Sequence, residues 1–133
     1  MMVSVTCHTD RFNLSVVGKD FMNDCCFGED FSNWLVSAFR AVGVEAEVLC
    51  MEDFGWANTV RFGGSSYFVC VGGYSHQDSS RPNYGEWGVL LERRRTLIQK
   101  ILGKNKMSAT DPLVRIVEQI LIDEGFADAT IEP

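Results

Sequence analysis

The chain has 133 residues, of which 46% are hydrophobic and 11% aromatic, and its formal net charge is −6. This length suits one domain with its own core, over residues 1–133, and the composition excludes an intrinsically disordered chain. The acidic balance disfavours nonspecific nucleic-acid binding by the whole surface, and it suits solubility or a partner with a basic surface.

The sequence predicts a cytoplasmic protein that does not enter a membrane. No apolar run is long enough to span a bilayer, and residues 1–8 lack the basic flank and the continuous apolar stretch of a signal peptide. The cysteines are odd in number and show no C-x-x-C spacing, so neither a disulfide framework nor a zinc knuckle is expected. Three of them lie in strand-like stretches and are predicted to be buried, namely Cys7, Cys50 and Cys70. The other two, Cys25 and Cys26, lie in a predicted loop and are candidates for reactivity.

The chain is predicted to open with a β-hairpin, since alternating residues at 3–8 and 12–16 flank a turn at Thr9-Asp10-Arg11. A helix follows from Phe27, with acids in its first turn and Gly43 at its expected end. Ser32 falls on its predicted solvent side. Its predicted core face consists of the apolar residues at helical spacing: Phe27, Phe31, Trp34, Leu35, Ala38 and Val42.

Three strands are predicted after this helix. Residues 44–50 alternate as a half-buried strand, and residues 57–62 and 65–71 flank Gly63-Gly64, which suits a two-residue hairpin turn. Such a turn fixes the register between the last two strands. The predicted pairs are Trp56 with Val71, Asn58 with Val69, Val60 with Tyr67, Thr59 with Phe68 and Ala57 with Cys70.

The remainder is predicted to contain a long polar loop at 72–85, a strand at 87–91, a short helix at 96–102, and a short strand at 129–131. Asp111-Pro112 is a good start for a second principal helix, with the stripe Leu113, Ile116, Val117, Ile120 and Leu121. This order of elements predicts an α+β fold: a mainly antiparallel sheet with two principal helices packed on it.

The most unusual short stretch is an acidic and aromatic corner at residues 52–56. Glu52 and Asp53 beside Trp56 can bind a basic or sugar-like ligand through carboxylates and a stacking ring; the alternative is a turn whose aromatics enter the core. Tyr74 and His76 from the long loop are predicted to share this binding surface, because the ends of the hairpin meet there.

No complete catalytic constellation is present in the sequence. His76 can act as a general base or simply be solvated, and Cys25 or Cys26 can pair with a histidine, although Glu29 and Asp30 nearby oppose a thiolate. We find no metal-ligand spacing and no nucleotide-binding motif, so no metal, cofactor or catalytic residue is predicted.

Half of the twelve basic residues fall within residues 93–106, namely Arg93, Arg94, Arg95, Lys100, Lys104 and Lys106. A basic stripe near Trp87 can contact phosphates and stack on bases, but a solvated strand end and helix is the favoured interpretation. Nucleic acid is therefore not an expected partner.

The segments F-G-E-D-x3-W-L at Phe27–Leu35 and E-D-F-G-W at Glu52–Trp56, with Asp111-Pro112, resemble a group of small bacterial α+β proteins without assigned activity. The resemblance implies a bacterial, cytosolic, single-domain protein and transfers no catalytic residues. From the small size, the net negative charge, the well-specified core and the absence of a complete catalytic constellation, we predict a small acidic protein-binding module, of the kind represented by immunity or inhibitor proteins. The alternative is a small-molecule-binding protein or a cysteine- and histidine-dependent enzyme.

Overall fold

The elements follow the predicted order closely. The computed structural model describes residues 2–12, 28–52, 55–75 and 83–133. The elements of these residues are β1 Val3–Thr9, α1 Glu29–Ala41, β2 Glu45–Glu52, β3 Gly55–Phe62, β4 Ser65–Ser75, β5 Gly85–Arg93, α2 Leu97–Leu102, α3 Pro112–Asp123 and β6 Thr130–Glu132. The predicted α+β class is confirmed.

The six strands form one sheet in the order β2-β3-β4-β5-β1-β6, and all neighbouring strands are antiparallel. Gly63 and Gly64 join β3 to β4 with φ values of 59° and 79°, the left-handed region that a two-residue hairpin turn requires. The predicted register is confirmed, because the five pairs all occur: Trp56 with Val71, Ala57 with Cys70, Asn58 with Val69, Thr59 with Phe68 and Val60 with Tyr67.

The predicted N-terminal hairpin is wrong. β1 lies between β5 and β6, so both of its edges are occupied over residues 4–6. After Thr9 the chain bends at residues 10–12, and Phe12 packs into the core. Residues 13–16 lie outside the described part of the chain. The alternation at residues 3–8 thus belongs to an interior strand whose partners are distant in sequence.

α1 is rotated relative to its predicted face. Its buried residues are Phe31, Ser32, Leu35, Val36 and Phe39. Trp34 is only partly buried, and Val42 is 58% exposed. Ser32, which we assigned to solvent, is instead fully buried, where its hydroxyl accepts a 3.2 Å hydrogen bond from Nδ2 of Asn58 on β3. A polar pair therefore takes the place of an apolar contact between helix and sheet.

β4 extends into the segment predicted as a loop. Gly73 pairs with Trp87, and Tyr74 pairs with Glu86, so Tyr74 belongs to a strand. The glycine marks a close approach and not a turn, because the Trp87 ring lies directly over it. Half of the predicted loop, residues 76–82, lies outside the described residues.

The helix boundaries agree with their predicted signals. Asp111 caps α3 by accepting the backbone N–H of Leu113 at 2.9 Å, with Pro112 in the first turn. Gly103 ends α2 in the left-handed conformation with φ of 66°. Helix ends are local features of sequence, which explains why these predictions are confirmed.

One face of the sheet, covered by α1 and α3, carries the core. Trp87 lies at its centre, fully buried, with its ring stacked on Phe31 at 5.1 Å and meeting Phe12 edge-on at 5.6 Å. Within the described residues, no helix is both long enough and apolar enough to cross a bilayer.

Candidate functional site

The acidic and aromatic corner does not assemble as predicted. Trp56 is 5% exposed and packs in the core, whereas Tyr74 is 73% exposed. Trp56 shares a face with its partner Val71, and Tyr74 lies three residues farther along β4, so the two rings lie on opposite faces of the sheet. Trp56 is therefore a core residue and not an exposed aromatic anchor.

Of the other predicted binding residues Glu52, Asp53 and His76, only Glu52 lies within the described part of the chain. Glu52 ends β2, where it pairs with Gly55 of β3. Asp53, His76, Cys25 and Cys26 lie outside the described residues, as does the side chain of Glu52. Their predicted roles stay predictions.

The thiols of Cys7 and Cys70 are buried, as predicted, and form no disulfide. Burial raises the pKa of Cys7 from 9.0 to about 12, and the nearby Asp128 carboxylate adds to this effect. Cys7 therefore stays protonated near neutral pH and supplies no thiolate nucleophile. The side chain of Cys50, on β2, lies outside the described residues.

A titratable cluster that the sequence did not predict surrounds His8 at the end of β1. Asp128 lies 2.8 Å from His8 Nδ1 and accepts the His8 backbone N–H at 3.1 Å, while Glu86 lies 3.7 Å from Nε2. Partial burial acts to raise the pKa of Asp128, but the hydrogen bonds and charge of His8 outweigh burial and lower it. Cys7 cannot complete a catalytic dyad here, because consecutive strand residues face opposite sides of the sheet.

A second cluster fixes the start of α3 against the sheet. The Asp111 side chain is 2% exposed and binds the guanidinium of Arg93. It also accepts the Tyr67 hydroxyl at 3.0 Å, in addition to its helix-capping bond. Arg93 Nη1 donates to Asn105 Oδ1 at 2.5 Å, which ties the segment after α2 to the same network. The cluster is a structural anchor, since its groups are engaged with one another.

The most unusual surface of the described residues is the outward side of α2. Leu97, Ile98, Ile101 and Leu102 are 73%, 69%, 74% and 60% exposed, and no residue of α2 is buried. At 3.6 residues per turn these four side chains fall within an arc of about 140°. The helix therefore directs its apolar face into solvent, the reverse of a helix packed on its own core.

Hydrogen bonds within residues 95–104 stabilise the helix, and bonds on both sides of it join the segment to the sheet. Thr96 and Gln99 form a reciprocal capping box, with bonds of 2.9 and 3.1 Å. The Arg95 side chain donates to the carbonyl oxygens of Lys104 at 3.0 Å and of Gln99 at 3.3 Å. The backbone N–H of Arg94, just before the helix, donates to the Ser66 carbonyl oxygen of β4 at 2.8 Å, and Asn105, just after it, accepts from Arg93 of β5, so the chain on both sides of α2 is bonded to the sheet.

Basic side chains flank this apolar face. In the described parts of the chain, none of the five bases at Arg94, Arg95, Lys100, Lys104 and Lys106 forms an ion pair. A cleft of about 310 Å³ beside α2 is lined by Phe68, Glu92, Arg93, Arg94, Arg95 and Lys100. We refer to the four aliphatic residues of α2 and these five bases together as the α2 surface.

The sequence indicated the parts of the α2 surface but not their arrangement. The basic segment and the short helix were both predicted, and four aliphatic residues within six positions were the available signal. Their exposure depends on which way the helix faces. That orientation depends on the bonds that join the segment to the sheet, from Arg94 to Ser66 and from Arg93 to Asn105, which no local pattern reveals.

Neither a metal site nor a catalytic pocket is found among the described residues. No group of three or more His, Cys, Asp or Glu among them is placed to hold a metal ion. A groove of about 320 Å³ near the C-terminal end of α1 and along α3 is lined by Val42, Phe62, Ile116, Gln119, Ile120 and Asp123. Its lining contains neither a thiol nor an imidazole.

Together these features define a small α+β domain with a projecting apolar and basic surface. Comparison of the chain with protein-family models, curated proteins and solved structures finds no match in any of the three. The function is therefore inferred from the surface itself.

Proposed function

We propose that the protein is a small acidic protein-binding module and that the α2 surface is its binding surface. The observation that carries this proposal is the outward apolar face of α2. Scattered exposed aliphatic residues are ordinary, but a contiguous group rimmed by charge is typical of a protein interface.

The apolar face is large enough to contribute to binding, together with the bases beside it. Leu97, Ile98, Ile101 and Leu102 are 60–74% exposed, so burying them would contribute about 4–8 kcal/mol before the costs of association. The helix is fixed by its caps and by Arg95, so little conformational entropy is lost when a partner binds it. These properties suit an immunity- or inhibitor-like protein acting in the cytoplasm.

The proposal moves the binding surface away from the corner at residues 52–56. Trp56 is removed from it by burial, whereas Tyr74 is exposed on the other face of the sheet. Glu52, Asp53 and His76 stay predicted contributors to a secondary surface. The enzyme alternative has less support among the described residues, since Cys7 faces the opposite side of the sheet from His8 and is held protonated.

The test is a comparative affinity purification from the native host, using three baits. The baits are the wild type, the double variant Ile98→Asp/Ile101→Asp, and Ile122→Asp as a matched control. Ile122 lies on α3 and is 44% exposed, so the control adds the same chemistry at a different surface. Melting temperatures of all three establish that the fold is retained.

A partner that binds through α2 should be retained by the wild type and the control and lost by the double variant. Titration of that purified partner should then show at least about 100-fold weaker binding to the double variant, as expected for central interface residues. Equal affinity for all three proteins would remove α2 from the binding surface.

A further inference from the structure

We infer that the partner presents an acidic amphipathic helix, whose apolar stripe packs on α2 and whose carboxylates bind the neighbouring bases. This inference rests on the proposed function, because it names the class of partner for the same surface. Its evidence is the charge of the α2 surface and the position of the adjacent cleft.

The α2 surface is opposite in charge to the rest of the chain. Residues 93–106 contain six of the 12 bases and no acid. The rest of the chain contains the other six bases and all 18 acids, so its net charge is −12. Arg93 is engaged by Asp111, which leaves the five bases of the α2 surface without ion pairs in the described residues. Such a surface attracts carboxylates and repels a basic partner.

The cleft brings three of these bases together beside α2. Lys100 follows the aliphatic arc on the helix surface, and Arg94 and Arg95 line the same cleft. The guanidinium carbon of Arg94 lies 5.8 Å from the centre of the Phe68 ring, so this wall combines cationic and aromatic character. A guanidinium favours carboxylate oxygens through paired hydrogen bonds.

One amphipathic helix satisfies both features at once. Its apolar stripe would cover the four aliphatic side chains of α2, and acids three or four residues apart along its flank would reach Arg94, Arg95 and Lys100. Glu92 also lines the cleft and attracts a Lys-flanked helix, but the bases that line the cleft outnumber it and favour a Glu-flanked one.

Two other occupants fit the charges less well. A twofold-symmetric dimer through α2 would bring the five bases of each copy together. An anionic bilayer is an extended plane, which would also face the remainder of the chain with its net charge of −12. A helix from another protein contacts only the local surface.

The experiment uses two synthetic fluorescein-labelled peptides of about 18 residues with identical leucine stripes, one flanked by Glu and one by Lys. Fluorescence anisotropy measures their binding to the full-length protein at low and at high salt. The Glu-flanked peptide should bind at least about tenfold tighter than the Lys-flanked peptide, and high salt should reduce this preference.

Charge-reversal variants locate the contact. Lys100→Glu should remove most of the preference for the Glu-flanked peptide, whereas Arg61→Glu should retain it. Arg61 is an exposed base on β3 and gives the control the same change in net charge. Ile101→Asp should weaken binding of both peptides, because it acts on the shared apolar stripe.

Equal affinity for the two peptides, or no binding of the Glu-flanked peptide, would overturn the inference. The proposed function would still stand if the host partner were lost by Ile98→Asp/Ile101→Asp. Binding to phosphatidylglycerol vesicles without peptide binding would assign the surface to a membrane and overturn the inference. A dimer in sedimentation analysis that Ile101→Asp dissociates would overturn it in favour of self-association.

Discussion

Replacement of Gly73 by alanine should test how tightly the sheet packs on the central tryptophan. A Cβ atom at Gly73 would lie 2.7 Å from Cδ2 and Cε3 of Trp87, whereas ordinary contact begins at 3.4 Å. The indole would therefore have to move by about 0.7 Å, well inside the repulsive range. It has little room to do so, because Trp87 is fully buried against Phe31 and Phe12.

We expect Gly73→Ala to lower the free energy of unfolding by about 1–3 kcal/mol, the usual cost of overpacking a core. Gly88→Ala is the matched control, since β4 and β5 pair at both positions and nothing lies within 4 Å of an added Cβ at Gly88. Neither glycine has a positive φ angle, so backbone strain does not enter the comparison. The control should be neutral or stabilising by about 0.5–1 kcal/mol, because alanine restricts the unfolded chain.

Urea denaturation followed by far-ultraviolet circular dichroism measures both variants, and a double-mutant cycle with Trp87→Phe isolates the contact. Gly73→Ala should cost less in the Trp87→Phe background, because the fused ring atoms that cause the overlap are absent. Equal effects of Gly73→Ala and Gly88→Ala, or a cycle with no coupling, would refute the packing argument.

Three further predictions concern charged and titratable groups. Asp111→Ala should lower the free energy of unfolding, measured by urea denaturation, by about 3–5 kcal/mol, because it leaves Arg93 without its carboxylate partner and α3 without its cap. A decrease below about 1 kcal/mol would contradict the buried ion pair. Cys7 should resist iodoacetamide in the native protein, because its folded pKa is raised from 9.0 to about 12. The stability that the buried thiol contributes should be fully present below its unfolded pKa of 9.0 and be lost as the pH rises toward about 12. Cys7→Ala should not show this loss. The folded pKa of Asp128 is lowered, so its stabilisation should be present above the ordinary value of 3.8 and be lost as pH falls through the folded pKa. Asp128→Asn should accordingly lower the melting temperature near neutral pH and have no effect in strong acid, and an equal effect at both pH values would exclude the pairing with His8.

Local signals in the sequence were sufficient for the helix ends and for one hairpin. Asp111-Pro112, Gly43 and Gly103 act through hydrogen bonds and φ angles within a few residues, so their effect does not depend on distant parts of the chain. Gly63-Gly64 likewise set the pairing of β3 with β4, because a two-residue turn allows one register between alternating strands.

Strand neighbours and buried faces required the tertiary structure. The alternation at residues 3–8 is the same for a hairpin strand and for a strand between β5 and β6, so the pattern cannot identify its partners. The face of α1 depended on Asn58 of β3, which buries Ser32 by a hydrogen bond. Trp56 and Tyr74 separate onto opposite faces because β4 continues past its predicted end.

The chain by itself determined that residues 93–106 are basic and that a short helix with four aliphatic residues lies among them. Only the tertiary structure decided that these aliphatic side chains face solvent, since the bonds from Arg94 to Ser66 and from Arg93 to Asn105 join the segment to the sheet on both sides of the helix. The His8 and Asp128 pair shows the same limit, because 120 positions separate the two residues. Composition and spacing act locally, whereas exposure and pairing arise from how the whole chain packs.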